Sequence, residues 1–319
     1  MAAYDRDRRT TSDWLIDRLA RGLIGTARLL PYETRGHFMG WLMRRVFGPI
    51  TRFRPRAEEQ LRYIWPDMPP ARTRQIANDV LFNFGQSLIE QYSGEELLER
   101  SKAWRITGEG WDAVEEARKA GRPILFVSGH FGNFQAFRGT LNMRGYAMGG
   151  LYRPMNNGYF NDHYIEMMKS FGGPAFPRGR RGLNDLIRHM KNAGQCAILL
   201  DQYFYDGVRV DFMGKPAPTA LTGGEMALRY DALLVPIYAK RIGKTADFEI
   251  IVEPPIPHSN AEEMTQAIAT SLERQVEAAP EQWYWVHRRW KPSRQERFFA
   301  PLDEESRAAV TAAKRTGED

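Results

Sequence analysis

The sequence predicts an α/β fold: a mixed, mainly parallel sheet flanked by helices, preceded by a helical amphipathic N-terminal membrane-docking region. Three observations carry this. Short apolar runs at 123–127, 196–200 and 231–238 each follow a helix-like segment, the alternation of a parallel sheet with crossover helices. The chain has 319 residues, 43% of them hydrophobic, enough to bury a large core. Its basic surplus is local: residues 1–60 hold twelve Arg and seven Asp or Glu, a net of +5, against +6 for the whole chain. A basic, partly apolar N-terminus suits an anionic partner such as lipid head groups, nucleic acid or an acidic carrier protein.

In the first segment, Leu15, Leu19, Leu23, Ala27 and Leu30 recur at helical spacing, with Ser12 or Asp13 as N-cap and Pro31 as the stop. Trp14, Ile16 and Ile24 widen the stripe, and Arg18, Arg21 and Arg28 lie mostly off it. This is the pattern of a helix lying in a lipid interface, and equally that of an amphipathic helix packed on its own domain. A second apolar and basic segment at 37–47 favours the membrane reading. No run of about 18 uncharged apolar residues occurs, so no transmembrane helix is expected. No signal-peptide pattern opens the chain. The single Cys196 excludes an internal disulfide framework and suggests a reducing compartment.

Residues 56–63 and 70–99 read as helices separated by Trp65-Pro66 and Pro69-Pro70, and 111–119 as a short helix ended by Gly121. The buried strand at 123–127 runs out at Gly129. His130 therefore stands at the carboxyl end of a strand, where open α/β sheets place their chemistry. A helix to about Asn142, a strand at 146–151 and a turn bearing Arg153 and Asn156 follow; an arginine there can take a phosphate or carboxylate bidentately. After a helix at 159–171, Arg178, Arg180 and Arg181 alternate with glycines ahead of the helix at 183–193. Guanidinium groups, backbone N–H groups and a helix dipole together make an anion site. Asp201-Gln202 closes the strand at 196–200, at the same sheet edge as His130. Leu221-Thr222-Gly223-Gly224 opens the helix at 225–230; the strand at 231–238, a β-like run at 248–252 and a helix at 261–278 come next.

Gly129-His130-Phe131-Gly132-Asn133-Phe134-Gln135 closely resembles the GHFGNWE signature of bacterial lipid A (lauroyl/myristoyl) acyltransferases, members of the lysophospholipid acyltransferase group marked by His-x4-Asp/Glu. Tyr152-Arg153-Pro154, Asp201-Gln202, the block at 210–219 and the closing stretch 280–291 resemble further blocks of that family, so the resemblance spans about residues 30–291. It implies that His130 is a general base, taking the proton from an acceptor hydroxyl as it attacks an acyl thioester. It implies acyl-ACP or acyl-CoA as co-substrate and no other cofactor. Asn133, or backbone N–H groups near Gly132, are the candidates for stabilising the oxyanion. Arg153, Asn156, Arg178, Arg180, Arg181, Gln202 and Thr222 are the candidates for holding substrate.

The chain departs from the family at Gln135, where a carboxylate is expected. A glutamine oxygen can still accept the imidazole N–H and fix the tautomer, but it cannot offset the charge that develops on the ring. Three readings stay open: another carboxylate substitutes, with Asp201 first and Glu225 second; the enzyme works with glutamine; or the chain is an inactive lipid-binding protein. Other classes lack their marks. No Gly-x-Ser-x-Gly elbow, His-Glu-x-x-His or Walker A motif occurs, the six histidines are scattered, and no nucleic-acid module is present, so neither a metal nor nucleic acid is expected as partner. The expected organisation is a docking segment at 1–60, an acyltransferase domain at 61–295 and a charged tail at 296–319. The expected function is O-acylation of a lyso-lipid, with a lyso-aminolipid preferred and a lipid A precursor as the alternative. The expected place is the cytoplasmic face of the bacterial inner membrane, bound peripherally.

Overall fold

Helices precede the sheet. The computed structural model describes residues 9–292, so the tail expected at 296–319 lies outside the described residues. In order come α1 (Thr11–Arg28), α2 (Tyr32–Leu42), a π-helical turn (Met43–Phe47), α3 (Gly48–Ile50), α4 (Phe53–Ile64), α5 (Pro70–Gln91) and α6 (Gly94–Ser101). The single helix expected over 70–99 is two, because Ser93 leaves helical geometry and its hydroxyl donates back to the Ile89 carbonyl at 2.9 Å.

The α/β part follows: β1 (Ile106–Thr107), α7 (Trp111–Lys119), β2 (Ile124–Ser128), α8 (Phe134–Met143), β3 (Met148–Tyr152), α9 (Gly158–Ser170), β4 (Ala175–Pro177), α10 (Arg180–Lys191), β5 (Gln195–Leu199), β6 (Val208–Phe212), β7 (Lys215–Thr219), α11 (Thr222–Tyr230), β8 (Leu233–Arg241), β9 (Phe248–Val252) and α12 (Ala261–Ala278). Seven strands form one sheet in the order β1-β9-β8-β2-β5-β3-β4, all neighbours parallel except the antiparallel β8–β9 pair. The expected mixed, mainly parallel sheet with flanking helices is therefore present. The 210–219 block forms β6 and β7, an antiparallel hairpin apart from the main sheet.

Register positions the site. β2 is buried along its whole length, as a central parallel strand covered on both faces must be. Ser128 at its end is level with Leu199 at the end of β5, and β3 lies parallel beyond β5. The loops after β2, β5 and β3 thus leave the sheet at one edge. The closing block packs beneath them. Trp283, Trp285 and Trp290 are buried, and Phe212 stacks on Trp290 at 5.6 Å. Gln60 of α4 clamps this block, donating to the Trp290 carbonyl and accepting its N–H.

The first half of α1 turns apolar side chains outward, whereas Ile24 and Ala27 in its second half are buried in the core. Thr10 and Asp13 cap it in a reciprocal capping box. Asp13 and Asp17 are buried, whereas Trp14, Leu15, Ile16 and Leu19 are 47–66% exposed. Leu15 and Leu19, expected on the stripe, face out together with Trp14. Asp17 instead meets Arg21 at 2.8 Å, and Arg21 donates to the Tyr159 carbonyl of α9. On α2, Phe38 and Trp41 are exposed as well. Among the described residues no helix is long and apolar enough to cross a membrane.

Candidate active site

His130 lies two residues past the end of β2 and Asp201 two past the end of β5. The loop that carries His130 requires glycine on both sides. A Cβ on Gly129 would come within 2.7 Å of Leu272 and 3.1 Å of an Asp201 carboxylate oxygen. Gly132 has φ +56°, and a Cβ there would lie 1.9 Å from the Ala239 carbonyl oxygen.

Asp201 holds the loop and the ring together. Its Oδ1 lies 2.7 Å from His130 Nδ1, and its Oδ2 accepts the His130 backbone N–H at 2.7 Å and the Trp283 indole N–H at 2.8 Å. With Nδ1–H given to Asp201, the lone pair is on Nε2. Nε2 lies 3.4 Å from the Gln202 amide nitrogen, which can donate to it. The ring leans edge-on against Phe134.

The electrostatics follow from this contact. Burial alone would push the Asp201 carboxyl up, but the His130 ring and the N–H donors hold it well below the usual carboxylate range. Burial alone would push His130 down, but the Asp201 charge and hydrogen bond raise it above its ordinary value. The pair is thus an ionised carboxylate bracing an imidazole, with one basic nitrogen turned outward.

Two cavities meet at His130. One, of about 430 Å³, is also lined by Gln135, Arg138, Arg153, Asn156 and Tyr164. The other, of about 220 Å³, lies between α5 and the 282–284 segment and is mainly apolar, with Val80, Phe84 and Leu88 on its wall. Phe134, Met155 and Tyr164 line both.

The expected site residues divide accordingly. His130, Asp201 and Gln202 converge, and Arg153 and Asn156 line the larger cavity. Gln135 lines that cavity but does not reach the imidazole. Helix α8 begins at Phe134, and its turn carries the Gln135 amide away to Met168 Sδ at 2.8 Å and to the Arg138 guanidinium at 3.4 Å. The role of bracing His130 expected of Gln135 passes to Asp201. Asn133 is also displaced from its expected role. It is fully buried, its amide donates to Glu90 at 3.0 Å, and its oxygen caps α8. The Gly132 N–H is likewise committed, to the Gln282 carbonyl. Neither is free to meet an oxyanion. Arg180 and Arg181 line a separate recess with Arg188 on α10, not the His130 cavities. The backbone N–H of Arg178 donates to the Tyr152 carbonyl at the end of β3. Thr222 is the first residue of α11 and lines neither cavity.

Four residues were not singled out as site residues in the sequence, although Trp283 lies in the closing stretch 280–291. Trp283 grips Asp201. Glu90 and Arg241, both 1% exposed, form a buried pair at 2.5 Å that receives Asn133. Arg138 is buried with its donors on main-chain carbonyls, including Met168 at 2.9 Å and Gly172 at 2.8 Å, and burial pushes it down to about 10. Nothing local marks such residues, since their partners are distant in the chain. Among the described residues no cluster of His, Cys, Asp or Glu could hold a metal ion.

The chain is similar to known proteins. A family model described as bacterial lipid A biosynthesis acyltransferase matches residues 1–292. The lipid A biosynthesis acyltransferase of Haemophilus influenzae is 24% identical over 267 residues, 81% of either chain. The lipid A biosynthesis lauroyltransferase of Escherichia coli is 24% identical over 72% of this chain and 76% of its own. The phosphatidylinositol mannoside acyltransferase of Mycobacterium tuberculosis is 23% identical over 65% of this chain and 64% of its own.

Proposed function

This chain belongs to the bacterial lipid A biosynthesis acyltransferase family and is a lipid acyltransferase; we propose that it carries a fatty acyl group from acyl-ACP or acyl-CoA to the hydroxyl of a lyso-lipid, a lyso-aminolipid before a lipid A precursor. The observation that carries the reading is the His130–Asp201 pair, which opens on two cavities of different character.

His130 Nε2 takes the proton of the acceptor hydroxyl as its oxygen attacks the thioester carbonyl carbon. The tetrahedral intermediate collapses, the C–S bond breaks, and the imidazolium returns the proton to the departing thiolate. Asp201 stabilises the imidazolium without accepting its proton. General base catalysis supplies about two to four orders of magnitude. The rest falls to alignment and to donors facing the oxyanion. The Arg153 guanidinium on the wall of the larger cavity is the group we assign to that part. The apolar cavity suits an acyl chain, and the cavity with Arg153 and Asn156 suits polar substrate groups.

The outward apolar face of α1, extended by Phe38 and Trp41 and accompanied by Arg18 and Arg28, lies in the lipid interface. Acyl thioesters of carrier protein and coenzyme A are cytoplasmic, so the reading puts the protein on the cytoplasmic face of the inner membrane.

The test is thioester turnover by purified full-length protein with acyl-CoA or acyl-ACP and a panel of lyso-lipids. Turnover by the wild type that His130→Ala abolishes supports the reading, and the best acceptor names the lipid. Turnover that survives His130→Ala removes it. No turnover with any pair leaves the lipid-binding alternative.

A further inference from the structure

The closing block lines a second recess, apart from the two cavities that meet at His130. A recess of about 560 Å³ lies between α4 and residues 286–292. Among the described residues, Arg56, Arg288 and Lys291 stand on its wall together with one carboxylate, Glu59, which meets Arg288 at 3.5 Å. His287 lies in it, with a buried Nδ1 that has no hydrogen-bond partner among the described residues. Burial pushes His287 down to about 4, so the ring is neutral at pH 7 and adds a hydrogen-bonding group rather than charge. Lys291 is held with Nζ 3.9 Å from the centre of the Tyr203 ring, so its position is set before any ligand arrives.

The recess is tied to the catalytic loops. The Tyr284 N–H donates to the His130 carbonyl at 3.0 Å, and the His287 N–H to the Tyr284 carbonyl at 3.2 Å. Arg289 donates to the carbonyl of Gln202, the residue beside the His130 ring, at 3.1 Å. Three residues span at most about 11 Å, so the recess opens within one extended substrate's reach of the base.

We propose that this recess binds a phosphate group of a substrate while the reacting groups lie at His130. Guanidinium forks match phosphate oxygens and lysine adds a compact charge. The phosphate belongs either to the donor's coenzyme or carrier arm or to the acceptor's head group. The choice between these rests on the acyl-transfer reading above; the existence of the anion site does not.

The experiment uses the full-length protein in detergent micelles and an Arg56→Gln/Arg288→Gln variant. Calorimetric titration with inorganic pyrophosphate is expected to show binding by the wild type that weakens about tenfold or more in the variant, while an Arg56→Lys/Arg288→Lys variant keeps most of it. Kinetics then separates the sources. A KM for palmitoyl-CoA that rises about tenfold, with no change for the phosphate-free palmitoyl thioester of N-acetylcysteamine, assigns the phosphate to the donor. A rise in the acceptor's KM with either donor assigns it to the lipid. In both cases kcat stays near wild type. Pyrophosphate binding that is absent, or equal in wild type and the Gln variant, overturns the site. So does lost pyrophosphate binding with every KM unchanged, which marks an adventitious anion only. If no thioester turns over at all, the acyl-transfer reading fails, and the titration still decides the recess.

Discussion

Asp201 stands to β5 as His130 stands to β2: each lies two residues past a level register pair, Leu199 and Ser128, and their side chains meet at 2.7 Å. Two parallel strands leaving the sheet at the same height thus deliver an acid and a base to one point. The same carboxylate also takes the His130 backbone N–H and the Trp283 indole N–H. It cannot be rotated away without breaking three contacts.

Asp201→Asn is expected to leave the fold intact and lower kcat by roughly four orders of magnitude, as the equivalent change does in the Ser-His-Asp system. Steady-state thioester assays check this. A loss of less than about tenfold would show that Asp201 does not brace the base.

Gln135→Glu separates the two possible partners of His130. Gln135 faces Arg138, so a carboxylate there pairs with that buried cation and not with the imidazole. The expected result is kcat within about threefold of wild type and a melting temperature unchanged or raised. A gain of about a hundredfold in kcat would return the bracing role to position 135.

The pH profile follows from the raised His130 value. The base works only when neutral, so activity rises with pH through a midpoint above the ordinary histidine value of about 6.5. In Asp201→Asn the imidazolium loses its counter-charge, and the midpoint moves to lower pH even as the plateau falls. A pH titration of kcat/KM for both proteins tests the sign.

Glu90→Gln strands Arg241 as a buried cation without its carboxylate, which costs about 3–5 kcal/mol of stability. A large drop in melting temperature is expected. Glu90 also receives Asn133 in the His130 loop, so activity at low temperature should fall as well. An unchanged melting curve would show that the pair contributes little.

Trp14→Asp with Leu19→Asp tests the outward face of α1. Both side chains are exposed, so folding should be unaffected. Burying each in a bilayer is worth about 1.5–3 kcal/mol, so binding to anionic lipid vesicles should weaken at least about tenfold. Equal vesicle sedimentation of variant and wild type would sink the docking reading.

Much of this was legible without coordinates. The strand at 123–127, the helix at 111–119 and the helix at 261–278 sit within a residue or two of β2, α7 and α12, because apolar periodicity and glycine breaks act locally. His130 was legible for the same reason: the end of an apolar strand between two glycines is a local pattern. β1 and β4 were not, since two or three residues carry no periodicity and are strands only because a neighbour supplies their hydrogen bonds.

Local patterns alone indicate the α/β class and set His130 at the carboxyl end of a strand as the candidate base. What the His130 ring leans on follows from tertiary packing. Gln135 is five residues from His130 in the chain, yet α8 starts between them and turns its amide toward Arg138. Asp201 is 71 residues away, yet the β2–β5 register brings it into contact. Helical turning is a local consequence of the backbone, whereas strand order and register are set by how the whole core packs, and no window of sequence contains that information.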